Sequence, residues 1–300
     1  MPKAGECVKF ETWRSTQRHP IVIYADFEAL LVKVDEKKGV NTTIVQRHQA
    51  MSYGFIVKAS DDVPLELLTE HGITTDPVIY RGSEDRPDVA THFVEAIVEI
   101  SRKIETLLKT NTPIIMSDEQ EKTHQECTSC NLCLCYIVGV DKVRDHDHLS
   151  GKFRQTLCAK CNLALQQPKF VPVFFHNLSN YDSHYIISQL GFDTNSITVI
   201  PNSEEKYISF SKYISSNFTV RFIDTFRFMA TSLEKLATNM ITPLFENFRE
   251  TAKHFVMEKL PLVTRKGVYP YEYTDSWSKL DEVSLPGKEE FYSTLTESGV

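Results

Sequence analysis

The chain has 300 residues, 41% hydrophobic and 24% charged, an ordinary globular balance that excludes collagen-like, mucin-like and wholly disordered classes. Its net charge of −7, from 33 basic and 40 acidic residues, excludes a uniformly basic nucleic-acid coat but leaves room for a local basic patch. No window approaches a membrane span, and Met1-Pro2-Lys3-Ala4-Gly5-Glu6-Cys7 has no apolar signal core, so an intracellular protein, nuclear or cytoplasmic and without a membrane partner, is expected.

Residues 1–18 show no periodicity and are expected to form a tail. The β-branched, apolar run Ile21 to Leu30 predicts a strand buried on both faces, and Gln49 to Lys58 predicts a second strand. Phe93, Ile97, Ile100, Ile104 and Leu107 recur at spacings of four and three, one face of a helix from Thr91 to about Leu108. The polar stretch 111–126 is expected to be a linker. Val171 to Phe175 returns to a strand pattern. Asp182 to Leu190 suits a helix capped by Asp182 or Ser183, and Tyr207–Tyr213 with Thr219–Phe226 suits a hairpin. Ser232 is positioned to cap a helix through Met240, with Leu233 and Leu236 turned inward. This order predicts an α/β domain in two parts, 19–110 and 169–248, interrupted by a cysteine module over 127–168 and followed by an extension, 249–300. Oligomeric state is not legible.

Charge is unevenly spread. Residues 61–100 hold ten acids against two arginines, whereas 121–170 hold seven lysines and arginines against five acids, so a polyanion contact is expected in the latter stretch. Six of the seven cysteines fall within 35 residues there. Clustered Cys-x-x-Cys pairs in a chain without a signal sequence read as tetrahedral metal ligands rather than a disulfide framework. Cys158 and Cys161 form one pair. The other is Cys130 and Cys133, or Cys127 and Cys130; the apolar Leu132 before the second cysteine favours Cys130 and Cys133, with Cys127 as the alternative ligand and Cys135 spare. Structural Zn²⁺ is the expected metal.

Asp26 and Glu28 lie two apart on the first predicted strand, so both carboxylates face the same way and can share divalent cations. Tyr24-Ala25-Asp26-Phe27-Glu28 resembles the first motif of the 3′–5′ proofreading exonuclease of family B DNA polymerases, and His176-Asn177-Leu178-Ser179-Asn180-Tyr181-Asp182 resembles the second. Phe222-Ile223-Asp224-Thr225-Phe226 and Ser232-Leu233-Glu234-Lys235-Leu236 are similar to the segment that follows, closest to polymerases of viruses and mobile elements, the protein-primed type. The resemblance implies an RNase H-like (DnaQ-like) exonuclease fold and two-metal phosphodiester hydrolysis with Mg²⁺ or Mn²⁺. It implies that Asp26, Glu28 and Asp182 are ligands and that Asn177, Tyr181, Ser232 and Leu233 contact single-stranded 3′ ends of DNA. The fourth ligand belongs to a Tyr-x-x-x-Asp motif. Only Tyr271 to Asp275 fits it within 240–300, in a Pro-flanked stretch that does not read as a helix, so the last acid is expected beyond Val300.

Between the cysteine pairs runs Val143-Arg144-Asp145-His146-Asp147-His148-Leu149-Ser150-Gly151-Lys152-Phe153-Arg154, and Asn162 follows Cys161. The stretch resembles the recombination endonuclease VII family, a ββα-metal nuclease on a treble-clef zinc fold. The resemblance implies Mg²⁺ at Asp145 and Asn162, with His146 and His148 activating water and holding the scissile phosphate, on DNA that includes branched forms. The alternative is a zinc module that grips DNA without cleaving it, since Lys152, Arg154 and Lys160 alone can serve phosphates. The acid that some members carry three residues after the Asn is Leu165 here.

The combined expectation is the N-terminal portion of a family B DNA polymerase, carrying the exonuclease region and an inserted endonuclease-like module, with the polymerase core absent. A self-contained structure-selective DNA endonuclease and a degenerate, transposon-derived zinc- and DNA-binding protein remain the alternatives.

Overall fold

The computed structural model describes residues 17–203 and 206–292. The expected tail apart from Gln17 and Arg18, Cys7 with it, and the end of the expected extension lie outside the described residues. The chain is a mixed α/β protein built on a large, mostly antiparallel sheet.

β1 (Ile21–Lys37) and β2 (Thr43–Ala59) form a long antiparallel pair, and β3 (Val78–Arg81) extends it beyond α1 (Leu65–Glu70). Helix α2 (Val89–Leu108) then covers one sheet face, burying Phe93, Ile97, Ile104 and Leu107. After the inserted module, β6 (Phe170–Phe175) pairs parallel to β1, and β9 (Phe218–Asp224) pairs parallel to β6. β8 (Tyr207–Ser215) and β7 (Ile197–Pro201) add antiparallel to β9 and complete the order β3-β2-β1-β6-β9-β8-β7. One core joins Ile21, Ile23 and Phe27 of β1 to α2, β6 and β9.

The first strand corrects an expectation. Ile21, Ile23 and Phe27 are buried, but Tyr24, Asp26 and Glu28 are exposed. Here α2 covers one face only, and the other stays open where the carboxylates need solvent or a cation.

The inserted module has its own small core of Cys130, Ile137, Leu157, Cys158, Cys161 and Leu165. Its hairpin, β4 (Lys142–His146) with β5 (Phe153–Cys158), leads into α4 (Ala159–Ala164). The expected linker is instead the module's outer edge. Residues 118–126 form helix α3 (Asp118–Glu126), started by a capping box between Ser117 and Gln120. Its buried His124 meets Thr156 Oγ1 at 2.8 Å. With one buried residue in nine, α3 shows no apolar period, so only the capping box marked it in the sequence. Upstream, Thr112 N donates to His148 O (2.8 Å) and Ile115 N to Gly151 O (2.7 Å). Gly151 has φ +75°, and a Cβ there would sit 2.5 Å from Pro113 O, so this close approach needs glycine.

Helix α5 (Ser183–Ile187) is shorter than expected, and the Asp182 side chain makes no capping hydrogen bond. Helix α6 (Leu233–Met240) starts as expected, with Ser232 Oγ accepting from Lys235 N (3.3 Å). It buries no residue, and Leu233, expected to point inward, is 55% exposed. Past α7 (Leu260–Val263) the chain returns to the sheet: Leu31 N donates to Thr274 O (3.2 Å) and Lys33 pairs with Asp275 (3.2 Å). Among the described residues no helix is long and apolar enough to cross a membrane.

Candidate functional site

Two separate clusters of chemistry-bearing side chains stand out, one on the sheet and one on the module. The first is an acid cleft of about 890 Å³. β1 presents Asp26 and Glu28 on its open face, and the turn after β6 brings in His176, Asn177 and Asn180. That turn is held by Asp224 at the end of β9. Its carboxylate accepts from Asn177 N (2.9 Å), Ser179 N (3.0 Å) and Phe226 N (3.0 Å). Burial works to raise the Asp224 pKa, but these donors outweigh it and hold the group below the ordinary carboxylate range. Asn177 adopts the left-handed conformation at φ +71°, which asparagine tolerates.

Asp182 follows this turn and is 3% exposed. Its Oδ1 is buried with no hydrogen-bond partner among the described residues. Burial, then the charges of Asp26, Glu28 and Asp224, push its pKa up to about 8. Partial desolvation also raises Asp26, and desolvation followed by the Asp26 charge raises Glu28. The structure therefore brings together the three acids separated in sequence. They share a site in which carboxylates repel one another and one buried oxygen lacks a donor.

Asn177, Ser232 and Leu233 line the same cleft. Tyr181 stands beside it, with its hydroxyl 3.0 Å from His48 Nδ1 and its ring edge-on to Tyr185 at 5.6 Å. Tyr271 lines the cleft too; burial and then the charge of Glu28 raise its phenol. Asp275 is occupied by Lys33. His176 falls within the second motif and Asp224 within the segment that follows it, but the resemblance assigns neither a role. His176 Nε2 meets Thr231 O (2.8 Å) and Nδ1 meets Thr225 Oγ1 (2.9 Å), tying the turn to the approach of α6. No spacing rule announces these two; both act across the parallel β6–β9 pair.

The second cluster is the module. The Sγ atoms of Cys130, Cys133, Cys158 and Cys161 all lie within 4.8 Å of one another, a donor set and separation that fit tetrahedral zinc. Cys127 lies outside the cluster and its Sγ donates to Ser129 O (3.0 Å), so the alternative ligand is set aside. Cys135 Sγ sits 3.3 Å from Cys133 Sγ at the exposed rim.

Asp145, His146, His148 and Asn162 face a separate cleft of about 540 Å³ between module and sheet. The His146 and His148 rings are 4.8 Å apart. Asp147 serves the turn, its Oδ1 accepting from Leu149 N (3.0 Å) and Ser150 N (2.9 Å). Asp145 is 3% exposed, and Arg154, expected on DNA, grips it instead. Arg154 Nε is 3.0 Å from Oδ2 and Nη2 is 2.8 Å from Oδ1, with Gln155 Nε2 3.3 Å from Oδ2. Lys152 pairs loosely with Asp62 across the cleft (3.4 Å). Leu165 is part of the module core and offers no oxygen.

Residues 165–293 match the family model described as DNA polymerase type B, organellar and viral, and residues 105–183 match that described as Recombination endonuclease VII. Both families are those the motifs resemble, and together they mark a nucleic-acid-acting chain. The endonuclease match begins well before Cys127, in keeping with residues 112–126 belonging structurally to the module. Asp26 and Glu28 lie outside both matched segments. No curated protein matches the chain.

Proposed function

We propose that the acid cleft is the 3′–5′ exonuclease site of a type B DNA polymerase, and that the chain is the N-terminal portion of such an enzyme. Its substrate is the single-stranded 3′ end of DNA, and its sheet is a variant of the RNase H-like fold. The observation that carries the reading is Asp182: a buried carboxylate oxygen without a donor, beside two further acids on the open face of β1. Such a group calls for a cation, and three hard oxygen donors suit Mg²⁺ or Mn²⁺. When bound, divalent cations there supply an activated water and stabilise the leaving 3′ oxygen.

The chain's own residues do the rest. β1 fixes Asp26 and Glu28 through an antiparallel register with β2 that runs unbroken from Ile21 to Glu28, Asp26 facing Gly54 and Glu28 facing Ser52, and shifts between Glu28 and Ala29. Asp224 and His176 hold the turn that carries Asn177 and Asp182. Leu233 and Phe226, both exposed on the cleft wall, offer apolar surface to an unpaired base. Ser232 keeps its hydroxyl proton while its oxygen caps α6, so it can donate to a phosphate. With Asp275 engaged by Lys33, the candidate ligand acids are Asp26, Glu28 and Asp182, and trimming is expected to be weak.

The test is a 5′-labelled single-stranded oligonucleotide incubated with the full chain and Mg²⁺ or Mn²⁺. Slow shortening from the 3′ end, lost in Asp26→Asn and Asp182→Asn, supports the reading. Mn²⁺ binding provides a second readout: if the wild-type chain binds no Mn²⁺ that Asp182→Asn removes, the assignment fails.

A further inference from the structure

The module is similar to a metal nuclease, yet its carboxylate does not fit a metal. A divalent cation at Asp145 needs carboxylate lone pairs. Both oxygens are already taken by the Arg154 fork and Gln155. The guanidinium would repel an incoming cation and would leave a buried carboxylate short of its charge-assisted donors if displaced. Leu165, buried in the module core, brings no second carboxylate.

The rest of the cleft suits an anion. Asp145 is neutralised by Arg154 and Asp147 is absorbed by its turn. Asp61 lies near Lys58 (3.8 Å) and Arg249 (3.5 Å) on the far wall. Arg18 lines that wall and makes no ion pair with any described residue. Among the described residues Lys152 pairs only with Asp62, with both side chains exposed, a contact weak enough for a phosphate to replace. His146, His148 and Asn162 supply further polar groups from the module side.

We propose that Arg154 takes the place of a divalent cation at Asp145, and that the cleft beside it binds a backbone phosphate of duplex DNA through His146, His148, Lys152 and Arg18 without divalent metal. The module then anchors DNA and does not cleave it. This inference does not depend on the acid cleft being active.

The experiment uses the full, zinc-loaded chain carrying Asp26→Asn and Asp182→Asn, which silences the acid cleft. Titration with Mn²⁺ followed by electron paramagnetic resonance should show no Mn²⁺ bound at the module. Fluorescence anisotropy of a short labelled duplex at matched ionic strength should give the same Kd, within about twofold, with and without Mg²⁺. Adding His146→Ala and His148→Ala should weaken binding about five- to tenfold, and Arg18→Ala, outside the module fold, should do so by a similar factor. Mn²⁺ that binds this background and is lost on Asp145→Asn would overturn the proposal. So would Mg²⁺-dependent plasmid nicking abolished by His146→Ala, or duplex binding indifferent to both the histidine pair and Arg18.

Discussion

The acid cleft and the module cleft hold carboxylates in opposite electrostatic states. In the first, Asp26, Glu28 and Asp182 crowd together, and Asp182 Oδ1 has no donor. In the second, Asp145 is equally buried but fully engaged by Arg154. A compensated carboxylate is at rest in the folded chain, whereas an uncompensated cluster is stable only protonated or bound to cations. Equal burial of two aspartates thus points to two chemistries, and the discriminating feature is the partner.

The largest effect that sharpens this comparison concerns zinc, since the module core and the sheet core are separate clusters. Structural zinc contributes on the order of 10 kcal/mol to the folding of small zinc domains. Chelation, or Cys130→Ser, should therefore unfold the module while α2 and the sheet persist. Limited proteolysis should cut within 127–165 and spare 21–108, and elemental analysis should fall from one zinc to none. Cys127→Ser should retain its zinc; losing it would break the ligand assignment.

Next comes catalysis. Asp26→Asn should slow any Mg²⁺-dependent trimming of single strands on the order of a hundredfold or more, while duplex binding by the module stays unchanged. Equal loss of both in this one variant would erase the distinction between the clefts.

A smaller effect follows from protonation. Asp182 moves from its ordinary 3.8 to about 8 in the folded chain, because burial and then Asp26 disfavour its charge. Between those values the folded protein holds a proton that the unfolded chain has released. Without divalent metal, stability should therefore fall as pH rises from about 4 to about 8. Asp182→Asn should flatten that slope and stabilise the chain by about 1–3 kcal/mol at pH 8. Urea unfolding at pH 5 and pH 8 measures it, and Mn²⁺ should restore stability to the wild type at pH 8 only. An unchanged slope in Asp182→Asn would show that this acid is not the one under strain.

The smallest effect is at the cleft rim. Lys152→Ala should cost less than about 0.5 kcal/mol of stability, since the pair with Asp62 is exposed. It should lower the salt slope of duplex binding by about one. A larger loss of stability would mean that the contact clamps the two regions together.

Much of the architecture was legible. The β-branched run of β1, the four-and-three spacing of α2, the β8–β9 hairpin and the Ser232 cap each carry a local signal that the structure repeats. The misses share one cause, which is that local pattern does not say what covers a face. β1 reads as doubly buried because its run is apolar, but its other face leaves Tyr24, Asp26 and Glu28 exposed. Helix α3 reads as linker because it buries only His124, and α6 reads as amphipathic although Leu233 is left exposed.

The same division applies to chemistry. Residue type and spacing by themselves determined which groups were available: two acids on one side of β1, paired cysteines, and an Asp-His-Asp-His run before a basic strand. They also determined the family resemblances that the matched segments repeat. Only the tertiary structure decided which cysteines converge, that Asp182 joins Asp26 and Glu28, and that Arg154 turns back onto Asp145. The physical reason is that a carboxylate's charge state, and hence its use, depends on desolvation and on donors within a few ångströms. Those neighbours come from segments distant in the chain, and no sequence period records them.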